Sequence, residues 1–217
     1  MQEIVVEFWG DFACFTAPYS KVERMTYPAP TPTAAVGMLE AIYAKPPEFY
    51  WQINKIEVLH PIQYISFKRN EMKAVVNGRR PQSFEVDDSV RTQRQTIALK
   101  DVRYRVSASI IRREECRTTL DKLYEQAIRR IQQGQCYYQP SLGLREFTAY
   151  FELSDGSREA VPVNSDMGLV IHDLWDKADW QKHPKCQTKR TLFHCVVNDG
   201  IIIVPPRGDK SILKGDN

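Results

Sequence analysis

The sequence predicts an α+β fold: a ferredoxin-like, βαββαβ domain that carries a basic inserted hairpin and is followed by a small antiparallel β unit. Three observations lead there. Stretches rich in β-branched and aromatic residues recur through the first 150 positions, and two intervening segments repeat their apolar residues at helical spacing. Beyond Ser154 only short apolar runs remain. The expected division is 1–153 for the first domain and 154–217 for the second.

The first strand is EIVVEFWGDF, which stops at Gly10-Asp11. A loop with Pro18, Lys21 and Arg24 leads to Thr31-Pro32, where threonine caps a helix and proline at its first position forgoes no hydrogen bond. Val36, Leu39 and Tyr43 share one helical face, and Pro46 forbids another turn. WQINKIEVLHPIQYISFKRN alternates around Pro61, so it reads as one bent strand or two in succession. From Glu71 to Gln95 the chain is polar and basic, an inserted loop or protruding hairpin too long for an idle connection. IALKDVRYRVSASII is again a strand, with Val102, Tyr104 and Val106 alternating against Arg103 and Arg105. TTLDKLYEQAIRRIQQGQ is the second helix, striped by Leu120, Leu123, Ala127 and Ile131 and closed by Gly134. REFTAYFEL completes the pattern, and LVIHDLW, TLFHCVV and GIIIVPP supply the small C-terminal sheet.

Hydrophobic residues make up 42% of the 217 and charged ones 26%, enough for a packed core. No apolar run approaches the ~20 residues of a membrane-spanning helix. Glu3 and Glu7 sit where a signal peptide wants a basic start, so a cytoplasmic protein without a membrane partner is expected. The cysteines at 14, 116, 136, 186 and 195 are odd in number and never form a CxxC pair. They read as free thiols, and neither a metal nor a cofactor is implied. His60, His172 and His194 read as core or interface residues, whereas His183, in QKHPK, lies in a basic loop suited to a phosphate contact.

A net charge of +3 announces no partner by itself, but the cations cluster. Lys68, Arg69, Lys73, Arg79, Arg80, Arg91, Arg94 and Lys100 face only Glu71, Glu85, Asp87 and Asp88. This insertion is the candidate RNA-binding surface, with Lys68, Arg69, Arg79, Arg80, Arg91 and Arg94 as its contacts. Arg103 and Arg105, on one strand face, are expected to extend it, and Gly143 in SLGLREF to let the backbone approach RNA closely. The RNP1 signature of an RNA recognition motif is missing, so an RRM-like domain here would bind RNA through another surface. Duplex DNA is a further ligand that the same charge allows.

FWGDFACFT, KVERMTYPAPTPTAAVGMLEAIYAKP, ISFKRNE, RTQRQTIALKDVRYRV and GQCYYQPSLGLREF, in this order and spacing, resemble the CRISPR-associated Cas-five family, type I-C (Dvulg) subtype. MGLVIHDLWD and FHCVVNDGIIIVPP are similar to its C-terminal part. The resemblance implies a metal-independent endoribonuclease that cuts the repeat hairpin in precursor crRNA. It would then remain on the 5′ handle beside the backbone and large subunits of the surveillance complex. In most type I systems the family is a non-catalytic subunit, so handle binding alone is the alternative. The catalytic tyrosine of the family falls on Tyr43, in the IYAKP ending of the first helix, and the catalytic lysine on Lys122. A histidine often follows that lysine; here Leu123 does, and a small shift of alignment brings Tyr124 to the same place.

Such chemistry needs the 2′-OH to attack the neighbouring phosphate. A lysine suits the charge that grows on phosphorus oxygens, and a tyrosine can position or deprotonate the 2′-OH. Free in water they titrate near ~10.4 and ~10, so neither is an efficient base at neutral pH.

Overall fold

The computed structural model describes residues 2–20, 22–73, 91–173 and 190–214. It is a mixed α/β structure in which a mostly antiparallel sheet is packed by two helices. In chain order the elements are β1 (Ile4–Ala13), β2 (Arg24–Met25), α1 (Pro32–Ile42), β3 (Phe49–Val58), β4 (Tyr64–Met72) and β5 (Arg91–Arg112). There follow α2 (Leu120–Gln132), β6 (Tyr150–Leu153), β7 (Ser165–Asp173), β8 (Thr191–Val197), β9 (Ile201–Ile203) and β10 (Leu213–Lys214).

Among the described residues seven strands form the main sheet, in the order β6-β1-β5-β3-β9, with β2 and β4 added along β5. The β1–β5, β1–β6 and β3–β5 pairs are all antiparallel. Alternation decides the faces. Val6 and Phe8 of β1 and Tyr104 and Val106 of β5 point into one core with Leu39 of α1 and Leu123 of α2. On β3 the apolar residues change parity, from Phe49, Trp51 and Ile53 to Ile56 and Val58. A bulge between Ile53 and Lys55 absorbs the extra residue and keeps both sets on the core face.

Both helices begin and end close to where the sequence puts them. Thr31 Oγ1 accepts from Ala34 N, Pro32 opens α1, and Tyr43 is its extended C-cap at φ −148°. The buried stripe is Ala35, Met38, Leu39 and Ile42, with Val36 to one side. On α2 the buried residues are Leu123, Tyr124, Ala127 and Ile131. Gly134 then adopts φ +63° and donates to Ile131 O, while Gln135 N donates to Arg130 O. That paired closure needs a left-handed residue, which glycine adopts without a Cβ clash.

The insertion is a hairpin: β4 continues to Met72 and β5 starts at Arg91. Its tip, including Arg79 and Arg80, lies outside the described residues. β5 runs for 22 residues and serves two neighbourhoods, β2 and β4 up to Leu99, then β1 and β3. Asp101, at φ 51°, marks the change. Farther along, β7, β8 and β10 form a separate three-stranded sheet, but β9 joins the main one beside β3. One hydrophobic cluster includes Val170, Phe193 and Ile202 together with Val6 and Leu39, so packing continues across the boundary expected at 154.

Among the described residues no helix is long and apolar enough to cross a membrane, and no group of three His, Cys, Asp or Glu side chains is gathered as a metal site. Cys14, Cys116, Cys136 and Cys195 are free thiols, and Cys186 lies outside the described residues.

Candidate active site and nucleic-acid interface

A helix leaves its last carbonyls without intrahelical partners, and those of α1 are met by residues from far along the chain. Tyr137 N donates to Ala41 O at 2.8 Å, Arg130 Nε to Ile42 O at 2.8 Å, and Trp51 Nε1 to Tyr43 O at 2.8 Å. The GQCYY stretch and the last turn of α2 are thereby docked on the end of α1. The Arg130 guanidinium also lies 4.3 Å above the Tyr137 ring.

Tyr43 is only 2% exposed, and its ring packs 5.2 Å from Phe49. Its hydroxyl has a charged neighbour two residues on, Lys45, whose charge acts on it. Lys45 Nζ also reaches Glu48 Oε1 at 3.1 Å, and the other oxygen of Glu48 accepts from Thr118 Oγ1 at 2.5 Å. Thr118 stands one residue before Thr119, the N-cap of α2. Glu48 therefore links the segment after α1 to the segment before α2. Arg113 fastens the same turn, its Nε donating to Pro46 O at 2.6 Å.

The electrostatics follow from these contacts. Burial raises the Tyr43 phenol above its ordinary value, and the nearby Lys45 charge only partly opposes it. The hydrogen bond to Glu48 raises Lys45 and keeps it cationic. Hydrogen bonds from Thr118 and Lys45 hold the Glu48 carboxyl below its usual range. A phenol raised above its ordinary value is un-ionised at neutral pH, which leaves Tyr43 a neutral hydroxyl. It is suited to positioning rather than to taking a proton.

Lys122 is exposed in the first turn of α2, four residues beyond Thr118. Tyr124 does not share that position: it is buried, its hydroxyl accepts from Ile110 N at 2.9 Å, and it donates to Gln2 O. It belongs to the core. Leu123 is also fully buried.

The basic set divides. The β4–β5 register places Lys68 opposite Gln95 and Arg91 opposite Met72, all exposed on one face of the hairpin. Arg69 and Arg94 face the other way. Arg94 pairs with Glu71 at 3.3 Å, and Arg69 with Glu146 beside Arg24. Arg69 Nη1 is buried without a hydrogen-bond partner among the described residues. Phe12, Phe67 and Phe147 pack ring against ring beneath this face and hold the hairpin to the sheet.

One sequence expectation is corrected by this geometry. Arg103 and Arg105 are not surface cations. Both are buried against fully buried Glu7, with Arg103 Nε–Oε2 at 2.7 Å and Arg105 Nη2–Oε1 at 3.2 Å, and Glu152, Glu57 and Arg158 complete the network. Gly143 is exposed, and its backbone also lies close against a protein neighbour. Its φ is +86°, and a Cβ there would stand 2.0 Å from Cys14 O. His194 is exposed, with Nε2 2.8 Å from Asp166, whereas His172 is buried against Pro205 O. His60 lies in the turn after β3, 3.1 Å from Asp101 O, and His183 is outside the described residues.

Sequence reasoning gave no role to Lys45, Glu48, Thr118 or Tyr137. Lys45 stands in the same IYAKP ending as Tyr43, and Tyr137 in the GQCYYQ stretch, so both were within the segments that carried the resemblance.

Comparison with known proteins gives the family. A family model described as CRISPR-associated protein (Cas_Cas5), Cas_Cas5d, matches residues 3–205. The CRISPR pre-crRNA endoribonuclease Cas5d of Thermus thermophilus is 38% identical, covering 94% of this chain and 92% of its own. The protein of the same name from Mannheimia succiniciproducens is 34% identical, over 94% and 95% respectively. A crystal structure of a CRISPR-associated protein superposes with a TM-score of 0.69 at 20% identity, over 98% of this chain and 96% of that one. At that identity the likeness concerns the fold alone.

Proposed function

The chain belongs to the CRISPR-associated Cas5 family, in its type I-C (Cas5d) branch, and on that premise we propose that it is the endoribonuclease that processes precursor crRNA. Its substrate is the repeat hairpin, and its lasting partners are the crRNA 5′ handle and the other subunits of the surveillance complex. The observation that carries this reading is the junction of α1 with α2: Glu48 joins the IYAKP turn to the start of the helix that bears Lys122. Its fold supports the ferredoxin-like reading too. Strands β6, β1, β5 and β3 are adjacent in that order, α1 connects β1 to β3, and α2 connects β5 to β6.

Cleavage is transesterification. The 2′-oxygen bonds to phosphorus as its proton passes to water, the bond from phosphorus to the 5′-oxygen breaks, and that oxygen takes up a proton from water. The products are a 2′,3′-cyclic phosphate and a 5′-hydroxyl. Cutting depends on Tyr43, whose neutral hydroxyl orders the site, and on Lys122, whose exposed ammonium faces the negative charge of the phosphorane. Lys68 and Arg91 on the exposed hairpin face, with Arg69 and Arg94 behind them, are the proposed grip on the RNA backbone.

The test is incubation of the purified protein with labelled cognate repeat RNA in excess EDTA, read on a denaturing gel. One cut at the hairpin base is expected from the wild type. Tyr43→Phe and Lys122→Ala are expected to lose at least ~100-fold in rate, with binding within a few-fold. Intact RNA that still shifts on a native gel would leave handle binding as the whole activity.

A further inference from the structure

The geometry points to Lys45 as a third catalytic residue, a second cation beside Lys122 that touches the scissile phosphate, held in place by Glu48. The inference rests on the nuclease reading above.

Accessibility comes first. The Tyr43 hydroxyl belongs to a side chain 2% exposed, so an RNA backbone does not reach it directly in this conformation. The Lys45 side chain, whose charge acts on that hydroxyl, is 40% exposed. It is the route from the tyrosine to solvent. An ammonium has three N–H groups. One is taken by Glu48, which leaves others for a phosphate oxygen.

Placement comes next. A lysine on a flexible stem is usually a poor electrostatic catalyst, because it must be ordered before it acts. Lys45 is ordered already. Pro46 fixes the backbone after it, Glu48 N and Phe49 N both donate to Lys45 O, and Arg113 Nε holds Pro46 O. Glu48 is itself fixed by Thr118 and Cys116. The side chain is thus tethered at both ends, and Lys45 and Lys122 flank one linkage between the helices.

Nothing in the reaction changes except where charge is met. The 2′-oxygen attacks, the 5′-oxygen leaves, and Lys45 donates to a non-bridging oxygen as its negative charge grows. Glu48 is the positioning residue, acting through Lys45.

The experiment compares wild type, Lys45→Met, Lys45→Arg and Glu48→Gln on labelled repeat RNA in excess EDTA under single turnover. Native-gel affinity and thermal melting are measured alongside. Lys45→Met is expected to bind within threefold of wild type and cut at least ~100-fold more slowly, as when a preorganised oxyanion donor is removed. Lys45→Arg should recover at least tenfold of that loss, and Glu48→Gln should cut about tenfold more slowly with affinity unchanged. Cutting by Lys45→Met within threefold of wild type would overturn the inference. So would a joint fall in affinity, melting temperature and rate, the mark of a purely structural lysine. Should Lys45→Met fail to fold, unchanged cutting by Glu48→Gln overturns it instead. A wild-type protein that does not cut refutes the nuclease reading itself, whatever the variants do.

Discussion

Gly143 illustrates how one residue identity can be fixed by a neighbour distant in sequence. Leu142 O accepts from Cys14 N at 3.0 Å, which draws the two backbones together, and the next residue has room only for a hydrogen. Gly143→Ala combines a left-handed φ with a Cβ 2.0 Å from Cys14 O, so a loss of at least about 2 kcal/mol is expected in urea unfolding. The glycine was visible in SLGLREF, but the sequence could not say which backbone would lie against it. Lys45 received no role for a related reason. A lysine between a helix end and a proline reads as a solvated charge until Glu48, Thr118 and Tyr43 are seen around it. The burial of Arg103 and Arg105 was equally hidden. Alternation gave their shared face, but their carboxylate partner, Glu7, lies 96 and 98 residues away.

The elements themselves were largely legible, because their signals are local. Thr31, Pro32 and Tyr43 bound α1, and Gly134 closes α2, each through contacts within a few residues. Gly134→Ala tests that closure: placing a Cβ at φ +63° is expected to cost about 1–2 kcal/mol and to lower the melting temperature. Short strands were harder. The three residues of β9 look like a continuation of the C-terminal unit, yet they pair with Lys55, Ile56 and Glu57 of β3. The bulge near Asn54 was hidden for the opposite reason: a change of parity reads as weak alternation until a partner strand shows the extra residue.

At the scale of the molecule, the buried charges around Glu7 join four strands and the segment after β6. Arg103 and Arg105 come from β5, Glu57 from β3 and Glu152 from β6, and Ser154 and Arg158 follow it. Burial alone would raise the Glu7 carboxyl, but hydrogen bonds from Arg103 and Ser154 and the charge of Arg103 leave it below its usual range. A carboxyl depressed in the folded state contributes stability that is complete above the unfolded value, near ~4.3. That contribution is lost as pH falls through the folded value. Glu7→Gln strands two arginines in the interior and is expected to cost about 3–5 kcal/mol at pH 7. The gap between wild type and variant should then narrow below pH 4, measured as urea midpoints from pH 7 to pH 3.

The capping of α1 by Arg130 also has a consequence in time. Arg130 follows Ile42 by 88 residues. A ribosome adding about 5–20 residues per second therefore completes the first helix roughly 4–18 s before the side chain that closes its end exists. Tyr43 and Lys45 emerge early, while Thr118 and Lys122 come late. The growing chain thus carries the IYAKP turn for seconds before its Thr118 partner exists, and the proposed catalytic pair comes together only when the second helix docks.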